Sequence, residues 1–309
     1  MEFRLNDNER MFVDSVGHVV KHYMEPPRSG AVNAAVYSSY SQDFYASLSE
    51  AGFLGAAREH EFGPVCAVMM IEEAARSPLA VEVGTSALVA ALAAEGPLEG
   101  PVAITAAADL ARPIRFLDVA RTLLVLSGDD LLALDLAGIE ITSNGGMFAY
   151  PFGTFRSSPD LSAARRVGSA AAARLWWQVA LASEGAALMQ SALDFTVEYV
   201  KNRRQFGRPI GAFQAVKHRL AASAQKARAA LWLARRAAWS GDGADAAMAA
   251  LYVQGTIQDV VYDCHQFNGA MGMTLECPLH FWTYRLKALQ GELGGARAQA
   301  LSLAGSRWL

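Results

Sequence analysis

Four cations, Lys201, Arg203, Arg204 and Arg208, fall within eight residues of the stretch Tyr199-Val-Lys-Asn-Arg-Arg-Gln-Phe-Gly-Arg-Pro-Ile-Gly-Ala-Phe-Gln. A guanidinium forks onto phosphate oxygens through two parallel charge-assisted hydrogen bonds, so the cluster suits a phosphate-bearing ligand. The plainer reading is that cations at a helix C-terminus answer the negative end of the macrodipole and stay solvated. Further on, Gln266-Phe-Asn-Gly-Ala-Met-Gly-Met is a glycine turn through which backbone could approach a ligand, or a helix cap with Gly269 left-handed. Glu292, among Gly291, Gly294 and Gly295, is a carboxylate on a turn that reads as pliable, and Glu184 is a carboxylate on a long helix. Cys264, His265, Cys277 and His280 do not have the spacing of a structural zinc site, and His18 with His22 read as an exposed helical pair. No G-x-G-x-x-G opens a helix after a strand and no Gly-x-Ser-x-Gly elbow occurs, which argues against a Rossmann dinucleotide site and an α/β-hydrolase.

These groups must be carried by a core. The chain has 309 residues, 27 Lys+Arg against 30 Asp+Glu, 52% hydrophobic and 18% charged residues, which excludes a disordered or polybasic protein. With a net charge of −3 there is no global reason to expect nucleic acid or an anionic membrane, so an anionic ligand has to be met locally. The longest run free of Asp, Glu, Lys and Arg is 141–155, too short and too broken by Gly and Pro to span a bilayer. The polar start MEFRLNDNER is unlike a secretory leader, and three scattered cysteines fit a reducing cytoplasm.

Residues 1–97 read as a helical domain, with helices expected over 7–23, 41–51 and 65–76 between Pro and Gly signals. Residues 98–160 read as a small β domain: PVAIT, TLLVLS, LLALDL and IEITS are short branched-apolar runs separated by Gly128-Asp129-Asp130, Gly138 and Asn144-Gly145-Gly146. Residues 161–309 return to helical periods. Long helices are expected over about 175–200, 211–239 and 244–268, each burying one stripe of an antiparallel bundle. The class is therefore mainly α with a small β domain.

Arg203-x-x-Phe206-Gly207-x-Pro209-Ile210-x-x-Phe213-Gln214 resembles the segment joining two bundle helices in acyl-CoA dehydrogenases, and Gln266 to Met273 resembles that family's Gln-x-x-Gly-Gly-x-Gly-aromatic turn, with Ala270 and Met273 departing from it. Glu72-Glu73-Ala-Ala-Arg76 and the preceding 54–63 loop resemble its N-terminal domain. The resemblance implies an N-terminal helical domain, a shortened middle β domain and a C-terminal four-helix bundle. It also implies FAD as cofactor, with Arg203, Gln205, Phe206, Phe213, Gln214, Gln266, Asn268 and Gly269 at a pyrophosphate and adenosine cleft shared with a neighbouring subunit.

The family's catalytic Glu occupies one of two positions. Ungapped counting from the motifs puts Trp177 at one and Leu293 at the other, with Glu292 beside it as the weak candidate base. The family's flavin-holding middle loop is reduced here to Ile104-Thr-Ala-Ala-Ala-Asp109, and no Trp precedes Trp176. The pattern resembles the shorter subunit of actinobacterial α2β2 acyl-CoA dehydrogenases, whose larger partner carries flavin and base, several acting on steroid side-chain CoA thioesters. That makes acyl-CoA the expected substrate and a larger acyl-CoA dehydrogenase subunit the expected partner. Two alternatives are a self-sufficient homotetramer using Glu292 and a non-catalytic scaffold of the same fold.

Overall fold

The computed structural model describes residues 4–26, 39–144 and 148–308; the expected turn glycines Gly145 and Gly146 lie outside them. Helix α1 (Asp7–Lys21) starts at a capping box in which Asn6 and Glu9 exchange side-chain and backbone bonds, and it buries Phe12, Val16 and Val20 at four-residue spacing. Helices α2 (Gln42–Glu50) and α3 (Gly63–Arg76) follow, joined by a 3₁₀ stretch, Phe53–Arg58. A π-helical turn, Thr85–Val89, leads into the short α4 (Ala90–Leu92).

The β region holds a four-stranded sheet in the order β1-β3-β4-β7, where β1 is Val102–Ala106, β3 Thr122–Ser127, β4 Asp130–Asp135 and β7 Arg165–Ser169. β1 runs parallel to β3; the other pairs are antiparallel. A second sheet, β2-β6-β5, is built from β2 (Ile114–Arg115), β6 (Phe152–Phe155) and β5 (Ile141–Asn144). Because successive side chains leave opposite faces, β3 feeds two cores: Leu124 and Leu126 join the cluster against the bundle, Leu123 and Val125 the one beneath the second sheet. The last strand of the first sheet, β7, lies beyond residue 160, where the sequence reading places the domain boundary.

Helix α5 (Ala170–Asn202) is buried all round from Trp177 to Met189 rather than along one stripe. Small residues explain the difference, because Ala182, Ser183, Gly185, Ala186 and Ala187 let neighbouring helices close in; a Cβ on Gly185 would lie 2.5 Å from Val253 Cγ1. Helix α6 (Gln214–Ser240) ends at left-handed Gly241, and Asp242 caps α7 (Gly243–Asn268). The up-down-up path brings the C-terminus of α5, the N-terminus of α6 and the C-terminus of α7 to one end of the bundle. Helices α8 (Leu279–Gly291) and α9 (Gly295–Trp308), to which the sequence reading gave no bounds, pack on α7. Among the described residues no helix is long and apolar enough to cross a membrane.

Candidate functional site

At that end of the bundle the chain leaves α5 through Arg203, whose N–H closes the helix on Tyr199 O at 2.8 Å. It then forms a hairpin of β8 (Arg204–Gln205) and β9 (Arg208–Pro209). The two turn residues, Phe206 and Gly207, both have positive φ (55° and 78°), as a type I′ turn requires. Gly adopts this freely, whereas Phe206 pays about 1 kcal/mol for it, and its ring is 89% exposed. Arg208 lies 4.0 Å over the Phe213 ring, which Phe206 meets edge-on at 6.1 Å. Arg203, Arg204, Gln205 and Gln214 are exposed, and among the described residues Arg203, Arg204 and Arg208 form no ion pair. Phe213 offers no side-chain cap to α6, so the first-turn amides of α6 add their partial positive charge to the same patch.

The second motif stands beside the first. Arg219 on α6 pairs with Asp263 on α7, and its guanidinium lies 5.0 Å over the Phe267 ring. Gln266 is exposed, and Gly269 ends α7 at φ 59°, ψ −144°, a conformation open to Gly. Asn268, grouped with the ligand-facing residues by sequence, turns inward instead. It is 1% exposed, and its amide donates to Thr196 Oγ1 at 2.9 Å and Cys264 O at 2.8 Å, tying α7 to α5. Gly272 is required by space, since its Cβ would sit 2.7 Å from Asn268 Cβ.

No such opening surrounds the expected base positions. Trp177 is 8% exposed in the apolar cluster with Ala90, Val102, Leu124, Leu131 and Val167, and Leu293 packs against the same cluster. The neighbouring carboxylates are bound to one guanidinium. Arg115 on β2 donates from Nε and Nη2 to Glu292 at 2.5 and 3.1 Å and from Nη1 to Glu184 Oε2 at 2.8 Å; Tyr150 donates to Glu184 Oε1 at 2.6 Å. Burial opposes the Arg115 charge, but Glu184 and Glu292 outweigh it, holding its pKa well above the ordinary value. Burial and then Glu184 push the Tyr150 phenol far up.

Both Glu292 oxygens are thus occupied. Nor is the turn pliable, as its glycines suggest: Gln254 holds Leu289 O and Glu292 O at 2.8 Å, Gln299 holds Leu293 O at 3.0 Å, and Gln178 anchors Gln299. The candidate base is a pinned ion-pair partner. Arg115 gave no sequence signal, because a two-residue strand has no period and its partners come from distant helices. Among the described residues no cluster of His, Cys, Asp or Glu could hold a metal.

Residues 175–304 match the family model for the acyl-CoA dehydrogenase C-terminal domain. Over that segment the chain is similar to the acyl-CoA dehydrogenase family. It is 38% identical over 139 residues to acyl-CoA dehydrogenase FadE34 of Mycobacterium tuberculosis, covering 41% of this chain and 20% of that one. It is 30% identical over 177 residues to acyl-CoA dehydrogenase IpdE2 of Mycolicibacterium smegmatis, covering 53% and 57%. The matches therefore span less than two thirds of these relatives' own length.

Solved acyl-CoA dehydrogenase folds superpose on nearly the whole chain. They include the ChsE4-ChsE5 complex from Mycobacterium tuberculosis, with a TM-score of 0.76, 20% identity and 100% of both chains, and a Tcur3481-Tcur3483 steroid ACAD variant, with 0.75, 21% and 97% of both. At these identities the superpositions show the fold alone. Within the acyl-CoA dehydrogenase fold, the basic hairpin and the glycine turn follow helix ends at one end of the bundle, while Trp177 lies toward the opposite end of α5, in the cluster under the sheet against which Leu293 packs.

Proposed function

We propose that this chain is a subunit of an FAD-dependent acyl-CoA dehydrogenase and lends pyrophosphate and adenosine contacts to a cofactor bound mainly by a larger catalytic partner. The carrying observation is the filling of both base positions by Trp177 and Leu293, together with an exposed arginine hairpin that forms no ion pair among the described residues. The donor set fits the cofactor. Exposed guanidiniums that have no acidic partner among the described residues and a helix N-terminus without a side-chain cap match a diphosphate, and exposed Phe206 and part-buried Phe213 offer rings to an adenosine.

In this reading Arg203 forks onto the pyrophosphate, Gln205 and Gln214 donate hydrogen bonds beside it, and Phe206 with Phe213 pack on the adenosine side. Gln266 and Gly269 close the cleft, with Asn268 positioning them from inside. FAD, when bound, supplies the acceptor for the β-hydride of an acyl-CoA thioester. The α-proton goes to a carboxylate of the partner, because Glu292 and Glu184 both answer to Arg115 and the two alternative positions are apolar. A self-sufficient enzyme using Glu292 would first have to break a bidentate, part-buried ion pair. Steroid side-chain CoA thioesters are the proposed substrate class, supported by the steroid ACAD among the structural neighbours.

Co-expression with a full-length partner tests the proposal. The expected result is a yellow complex that reduces a dye with acyl-CoA, and a colourless, inactive chain when either subunit is missing. A chain that purifies alone with FAD and turns over acyl-CoA would refute it.

A further inference from the structure

A cavity of about 330 Å³ opens between α7 and α8; it touches the far end of the glycine turn at Gly272 and Met273 but none of the residues assigned to the flavin. Its walls alternate ring faces and a few polar groups, as small-molecule sites do. On α8, His280, Tyr284 and Lys287 share a face at four- and three-residue spacing; on α7, Tyr262 and His265 do the same, and Met273 closes one end.

The polar groups specify a ligand. His280 is 8% exposed and its Nδ1 lies 2.7 Å from Cys277 O. A carbonyl only accepts, so Nδ1 carries the proton and the neutral ring keeps an acceptor lone pair at Nε2 in the cavity wall. Burial lowers the pKa of both His280 and His265, which keeps the rings neutral. His265 is fully committed to Gly272 O and Thr283 Oγ1 and so is wall rather than ligand. The Lys287 ammonium has two side-chain partners, the amide oxygens of Gln258 and Gln290, which are neutral, and among the described residues no carboxylate pairs with it. The cavity therefore offers a cation at one end, an acceptor at the other and aromatic faces between. Tyr284 lies between His280 and Lys287 on the same helix face, and a cavity of about 330 Å³ has room for two fused rings with a substituent at each end.

We propose that this cavity binds a flat, hydroxylated two-ring aromatic carboxylate: the carboxylate on Lys287, the rings against Tyr262 and Tyr284, and the hydroxyl donating to His280 Nε2. The proposal stands apart from the flavin assignment, and neither fails with the other.

The probe is 6-hydroxy-2-naphthoate, followed by its own fluorescence anisotropy on titration with the full chain. Saturable one-to-one binding is expected. Replacing the probe by 6-methoxy-2-naphthoate, which has no proton to donate, or by 2-naphthol, which has no carboxylate, is expected to weaken binding about tenfold each. Lys287→Gln should weaken the parent probe by about tenfold or more, the scale of a lost charge-assisted hydrogen bond. The two analogues, used on the unaltered protein, keep the test decisive if that variant does not fold. Absence of saturation up to the probe's solubility overturns the proposal. So does affinity unchanged within about twofold for both analogues, or for Lys287→Gln with its melting curve intact.

Discussion

Leu293 packs against the apolar cluster that holds Trp177, although one follows α8 and the other lies in α5. Ungapped counting from the two motifs puts the family's two alternative base positions at these residues, and the fold brings both to one place under the β1-β3-β4-β7 sheet. Neither side chain can accept a proton, and the space is taken up by the Trp177 indole and its apolar neighbours.

Arg115 holds the sheet region to the bundle through Glu184 and Glu292. Removing it strands the buried Glu184 and the part-buried Glu292, so Arg115→Met is expected to cost about 3 kcal/mol in urea unfolding. The double variant Arg115→Met/Glu292→Gln should recover part of that loss. Equal stability of the single variant and wild type would show that the ion triad is not a structural clamp.

Asn268 and Gln266 should part company. Asn268→Ala leaves Thr196 and the Cys264 carbonyl without their donor and is expected to lower stability by about 1–3 kcal/mol. Gln266→Ala, at an exposed position, should leave the melting temperature unchanged and reduce flavin retention in the co-expressed complex. Thermal melts beside flavin absorbance read both; a Gln266 variant that melts early without losing flavin would reverse the assignment.

The distinction was legible. Ile257, Val261, Cys264 and Asn268 recur at helical spacing, which puts Asn268 on the buried stripe of α7 and Gln266 off it. The long helices α5 to α7 were readable for the same reason, from periods bounded by Gly207, Gly241 and Asp242. Helix α8 was not, because its exposed and buried residues do not sort into a clean stripe: from Leu279 to Thr283 every side chain is buried, on both sides of the helix. Arg115 and β7 were invisible to periodicity because their meaning comes from pairing with distant segments.

Acidification should weaken the fold through His265 and His280. Burial lowers both pKa values below the ordinary histidine value of about 6.5. Below that pH the unfolded chain binds protons that the native state refuses, so stability falls as pH drops from about 6.5 toward the folded pKa values. Each histidine contributes at most about 1.4 kcal/mol per pH unit. His280→Gln should flatten the slope of urea-unfolding free energy between pH 6.5 and 5.5, and an unchanged slope would show that His280 takes no part.

Gly207 tests the hairpin that presents the arginines. Its φ of 78° favours glycine, so Gly207→Ala is expected to cost about 1 kcal/mol locally. Because the hairpin is exposed, the larger effect should be weaker flavin retention by the complex, read from absorbance after gel filtration. Full retention would mean that the turn geometry does not matter to the cofactor.

The most direct measurement is the FAD content of the co-expressed complex when this chain alone carries Arg203→Ala. The account predicts that the two subunits still assemble and that the flavin, held by a partner whose own sequence is untouched, is lost or bound at least about tenfold more weakly. An assembled complex that keeps its full complement of FAD, with wild-type affinity, would contradict it.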